Sequence, residues 1–181
     1  MTDDMTGRSA DMPSPLIVGL QMSLCLIRDA VAALNDDAYA GPSPRAFDGG
    51  VGQHVRHCLD HVAALLAGVE LGVTDYDQRE RGGAVERDRQ VGLVAIDESV
   101  DALSTLDDAM LDRPMDVHLL TSPQLPAAKT QSTVARELAF VMSHTIHHGA
   151  IIKSIILATG GSPPTALGMA PATLASMADE Q

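Results

Sequence analysis

Tryptophan is absent from this chain of 181 residues, which holds only two tyrosines and two phenylalanines. Its core must therefore be assembled from Leu, Val, Ile, Ala and Met, side chains that interlock at least as well between helices as between sheets. Cations are scarce as well: 12 Lys and Arg stand against 24 Asp and Glu, a formal net charge of −12. That balance argues against a nucleic-acid partner, whose phosphates need clustered Lys and Arg. The two cysteines, Cys25 and Cys58, form neither a disulfide framework nor a CxxC motif. Both fall inside apolar helical patterns, as buried free thiols of a reducing compartment do. No stretch of 18 uninterrupted apolar residues occurs, so a membrane span is not expected. The first residues carry Asp3, Asp4 and Asp11 against Arg8, the wrong charge for a secretory leader. The expected location is the cytoplasm.

The length suits one domain with a short tail at each end. Residues 1–12 are polar and acidic and read as a disordered tail. From Pro13 and Ser14 onward, Leu16, Leu20, Leu24, Ile27, Val31 and Leu34 recur at helical spacing. Residues 35–50, with Pro42 and Pro44, read as a loop. A second helix is predicted over Gly52–Gly68 and a third around Val94 to Leu106. Between them, residues 69–89 are charged and without period. Residues 112–131 carry three prolines and are expected to be irregular, apart from a short strand at Val117–Leu119–Thr121. The last helix runs from Ser132, its expected N-cap, to about Thr159, with Gly160 and Gly161 as its stop. The expected fold is all-α: a four-helix bundle over residues 13–160 with long inter-helix loops, and a tail at 161–181 packing on or near it.

The histidines are unevenly placed. Six of the seven lie in two short segments, one holding His54, His57 and His61, the other His144, His147 and His148. On the last helix, His144 and His148 continue an apolar seam through Val134, Leu138 and Val141 to Ile151 and Ile155. They stand one turn apart on one face, the spacing at which two imidazoles chelate a single ion. A third ligand has to come from the second helix. There a helical wheel sets all three histidines beside the Val55–Leu59–Val62 face, with His54 and His61 nearer the core than His57. Arg56 and Asp60 read either as partners that orient a ligand imidazole or, more simply, as a solvated i, i+4 ion pair.

At these residues the chain resembles the DinB-like superfamily, the DinB/YfiT-type metalloenzymes, over nearly all of residues 14–175. The resemblance rests on a Gly-x4-His element, here Gly52 to His57, and a His-x2-His-His element, here His144, His147 and His148. Carried across, it implies the ligands His57, His144 and His148, with His147 outside the triad. His54, His61, His147 and Arg79 remain as surrounding or substrate-contacting residues. It further implies an up-down-down-up bundle, often dimeric, that binds one divalent ion, zinc or nickel above others. The activity it implies is thiol S-transfer, with a low-molecular-weight thiol as one candidate substrate; the open coordination position also suits hydrolysis of a small molecule.

Three imidazoles leave a coordination position open, which is a catalytic pattern; structural zinc sites are closed by four ligands. An ion held so can lower the pKa of a bound thiol or water. A fourth ligand from His54 or His61 would close the site and favour a metal-holding or ligand-sensing protein. The charged stretch Asp75–Arg87 reads either as a wall of the cleft, with Arg79 or Arg81 clamping a carboxylate, or as a solvated loop.

Overall fold

Ser14 ends the polar N-terminal stretch by accepting the Leu16 N–H, and Pro15 follows in the first turn, where a missing N–H costs nothing. Helix α1 (Pro15–Ala32) grows from there, with Ile17, Leu20, Leu24, Ile27 and Val31 buried. The structure, a computed structural model, describes residues 13–44, 47–78 and 82–179. Arg79, Arg81 and the tail at 1–12 lie outside the described residues.

The next helix, α2 (Asp36–Ala40), sits inside the expected loop and carries Tyr39 into the core, where its hydroxyl donates to the Val85 carbonyl at 2.6 Å. Helix α3 (Val51–Leu71) ends at Gly72, whose φ of 74° is the left-handed cap that glycine adopts without strain. The chain then enters strand β1 (Val73–Asp75), followed by α4 (Ala84–Arg87) and α5 (Arg89–Leu103). A short α6 (Asp108–Leu111) leads to strands β2 (Pro114–Leu119) and β3 (Ala128–Thr133), then to α7 (Val134–Ala158) and α8 (Pro171–Asp179).

The four long helices enclose the core. Helix α1 packs on α5 and α7, and α3 packs on the same two. Gln21 reaches Ser104 and Arg28 reaches Asp97, so α1 and α5 run antiparallel. His57 meets His144 and His54 meets His148, so α3 and α7 are antiparallel too. Between them lie fully buried Leu20, Leu24, Val62, Ile96 and Leu138. Helix α1 is long and apolar enough to cross a membrane. Its buried residues face α5 and α7.

A small sheet departs from the all-α expectation. β1 pairs parallel with β2, Thr74 opposite Val117, and β2 pairs antiparallel with β3, Asp116 opposite Gln131. The parallel pair needs a long crossover, and α4, α5 and α6 supply it. The long connections of the sequence are therefore filled with structure. Two further readings are corrected. Thr133, the last residue of β3, and not Ser132, caps α7 by accepting the Arg136 N–H; the Ser132 hydroxyl donates to Glu137 instead. The buried seam of α7 runs Val141, Thr145, Gly149, Ile152, and leaves His144 and His148 half-buried on its flank. The C-terminal segment covers Gly149 with Leu167, which is 1% exposed.

Candidate metal centre

The glycine of the Gly-x4-His element has a steric cause. A Cβ on Gly52 would stand 2.2 Å from the Glu86 carbonyl oxygen, so only glycine lets the α4 backbone close on the first turn of α3. Arg56 fixes the same approach through Glu86 at 2.8 Å and through Asp60 on its own helix. The ion pair read from the sequence is thus a triad, and its side chains are only 15%, 25% and 13% exposed for Arg56, Asp60 and Glu86. It is largely withdrawn from water, not solvated. One position beyond Arg56, His57 faces α7.

The ring nitrogens converge there. His57 Nε2 and His144 Nε2 are 2.9 Å apart, and the His61 ring stacks on that of His144 with centroids at 4.0 Å. One ligand atom from each of His57, His61 and His144 lies within 4.8 Å of the other two. His148 stands beside them, its ring centroid 4.5 Å from those of both His57 and His144. Its Nδ1 faces His54 Nδ1 at 3.0 Å. His54 and His61 are buried, at 9% and 6% exposure, in the order the helical wheel anticipated relative to half-buried His57. His147 is exposed and touches only the edge of His148 among the ring contacts of the described residues.

Protonation favours ligation. His61 Nδ1 lies 2.9 Å from the His57 carbonyl oxygen, which can only accept, so Nδ1 carries the proton and Nε2 keeps its lone pair. A ligand histidine is oriented in this way by a carbonyl behind it. Burial, then the neighbouring His144, His54, His147 and His61, pull His148 down to about 3. Burial also lowers His54. Neutral imidazole is the form that binds metal.

The donor set fits a divalent ion. Three nitrogens each about 2.0–2.1 Å from zinc stand roughly 3.4 Å from one another in a tetrahedral site. The separations here, 2.9 Å for His57 to His144 and none above 4.8 Å, span that spacing.

The cluster opens on a cleft of about 440 Å³ between α3, α7 and the sheet. Tyr76, from the end of β1, stacks on His61 at 5.3 Å and donates its hydroxyl to Glu137 Oε2 at 2.8 Å. Ser132 donates to the other oxygen, Oε1, at 2.6 Å. Glu137 is thereby held at 6% exposure with both oxygens engaged. Burial and that carboxylate push the Tyr76 phenol well above its ordinary range, so it stays a donor. The charged stretch from Asp75 does reach the cleft, through Tyr76 and Asp77. Sequence reasoning missed Glu137. Its signal was available: an acidic residue three positions after Val134 and four before Val141 stands at core spacing.

No family model matches the chain. FK506-binding protein 5 of Rhizopus delemar is 32% identical over 110 residues, covering 56% of this chain and 27% of that protein. The chain thus spans about a quarter of that relative's length. The crystal structure of a DinB-like protein, YjoA, from Bacillus subtilis superposes with a TM-score of 0.63, over 85% of this chain and 99% of that one. The two are 17% identical, and the likeness is one of fold. The resemblance read from the histidine elements is matched by the architecture: this chain has the DinB-like fold.

Proposed function

We propose that this protein is a metal-dependent enzyme, acting by thiol S-transfer or hydrolysis on a small molecule at the histidine cluster. The observation that carries this is the convergence of His57, His61 and His144 within 4.8 Å on the floor of an open cleft. A divalent ion held there, zinc or nickel, would supply Lewis acidity with a coordination position to spare. The chain's own residues do the rest. His57 and His144 define the position, and His148 completes the triad that the resemblance implies. Tyr76 packs against His61 and Glu137 holds Tyr76, so the wall is fixed before substrate arrives. Phe140, Val117 and Leu119 give the cleft beside the histidines an apolar lining. The four long helices are read as one up-down-down-up bundle, supported by the antiparallel pairings of α1 with α5 and α3 with α7. A cytoplasmic location, a low-molecular-weight thiol as partner, the absence of nucleic-acid binding and a homodimer belong to the same reading; the net charge of −12 supports the third of these.

A second reading has its own observation. His61 is as well placed as His148, so four imidazoles could close the coordination shell of a metal-holding protein without turnover. Native mass spectrometry of His61→Ala and His148→Ala separates the two. The enzyme reading expects one ion per chain and loss of it from only one of these variants. Equal losses from both would favour the closed site, and a wild-type chain that takes up neither zinc nor nickel would remove both readings.

A further inference from the structure

Charge is distributed unevenly around the cleft. Among the described residues, three ionisable side chains besides the histidines and Tyr76 border it: Asp77, Arg136 and Glu137. The two carboxylates are already engaged. Asp77 Oδ2 accepts the Leu120 N–H at 2.6 Å, and Glu137 accepts from Tyr76 and Ser132. The Arg136 guanidinium, exposed in the first turn of α7, has no carboxylate at ion-pair distance among the described residues; Arg87 and Arg113 share that, but neither lines the cleft.

Position gives this cation a meaning. Arg136, Phe140 and His144 follow one another at four-residue steps, so they lie along one face of α7. At about 1.5 Å of rise per residue, Arg136 and His144 are separated by about 12 Å along the helix. Phe140 lies between them, and Val117, Leu119 and Leu120 line the cleft from β2 and the residue after it. Among the described residues the cleft therefore offers an imidazole cluster at one end, an apolar middle and, at the other end, the Arg136 guanidinium.

We propose that the site takes an extended amphipathic carboxylate, with its acid group on Arg136, its apolar body on Phe140 and Leu119, and its reacting end at the histidines. A guanidinium matches a carboxylate through two parallel N–H···O bonds. A doubly charged phosphate would be less well matched, because Asp77 and Glu137 border the same cleft. The histidine end rests on the metal-enzyme reading; the pairing with Arg136 does not.

The test uses the full chain, with zinc content read by native mass spectrometry. Alkyl hydroxamates, which seek metal, are compared with ω-carboxyalkyl hydroxamates of increasing chain length by calorimetry. The carboxylate should raise affinity about tenfold at one chain length, that of a single charge-assisted pair, and not at shorter ones. Arg136→Gln should erase the difference between the two probe series, and Arg136→Lys should restore part of it. Equal affinities at every length, or a difference that survives Arg136→Gln, would overturn the proposal. If the chain takes up neither zinc nor nickel, the metal-enzyme reading fails by itself, and octanoate decides the rest. Its shifts in the nuclear resonance spectrum of the metal-free chain should map to Phe140 and vanish in Arg136→Gln. Octanoate binding that ignores Arg136, or no binding, would refute the carboxylate site.

Discussion

Replacing His57 by alanine should remove most of the thermal stabilisation that zinc or nickel gives the chain. An ion at a thousand times its Kd stabilises the folded state by about 4.1 kcal/mol. For a chain of this size each kcal/mol moves the Tm by roughly 2–4 °C, so the wild type should gain about 8–16 °C. Loss of a partner that merely orients a ligand weakens metal binding by about 10–100-fold. His57 Nε2 faces His144 Nε2 at 2.9 Å, in the middle of the cluster, so its loss should cost at least the upper figure. A hundredfold is about 2.7 kcal/mol, which leaves a shift of only about 3–6 °C. The metal-free variant should melt within a few degrees of the wild type, because half-buried His57 lies outside the apolar core. Exposed His147, changed to alanine, serves as control and should keep the full shift. Differential scanning fluorimetry on chelator-treated protein, titrated with each ion, reads all of this. A His57→Ala shift equal to that of the wild type would refute the assignment.

Three further outcomes follow from the same geometry. The folded chain keeps His148, at about 3, and His54 neutral, whereas unfolded imidazoles protonate near 6.5. Their contribution is therefore complete above about pH 6.5 and lost as the pH falls from there toward the folded value. The Tm in chelator should drop between pH 7 and pH 5, and His148→Gln should flatten the drop; parallel curves would contradict this origin. Burial, then Asp60, pushes the Cys58 thiol up to about 12, while Cys25 is exposed. One thiol should react with a disulfide reagent in the native chain and the second only in denaturant; two fast thiols would show that α3 opens readily. Leu138 is 0% exposed in the core, so Leu138→Ala should cost about 2–5 kcal/mol in denaturant unfolding. A loss under about 1 kcal/mol would mean that the site collapses without a cavity.

What the sequence made legible follows the range of the interactions involved. The ligand candidates sit on α3 and α7, helices of 21 and 25 residues, where spacing alone sets which side chains share a face. Even the finer ordering of burial along α3, His54 and His61 inside His57, came from spacing. On α7 the same reasoning slipped by one position. Both the run Val141, His144, His148, Ile151 and the run Val141, Thr145, Gly149, Ile152 fit a helical stripe, and hydrophobicity alone does not separate them. The choice is made by Leu167, which needs the small Gly149 beneath it and turns the histidines to the flank.

The sheet left much weaker traces. β1 is three residues long, and its partner β2 begins only at residue 114, beyond three helices. β3 reads Ala-Lys-Thr-Gln-Ser-Thr, without apolar alternation, because it is largely exposed. Neither strand has a local reason to exist; each is held by the edge of β2. Yet β1 delivers Tyr76 to His61, β2 brings Val117 and Leu119 to the cleft, and β3 places Ser132 on Glu137. The helices alone would make a histidine cluster on an open flank, and the sheet makes that flank a cleft with a defined length. The candidate ligands are thus legible in local spacing, whereas the shape of the cleft depends on contacts between distant segments.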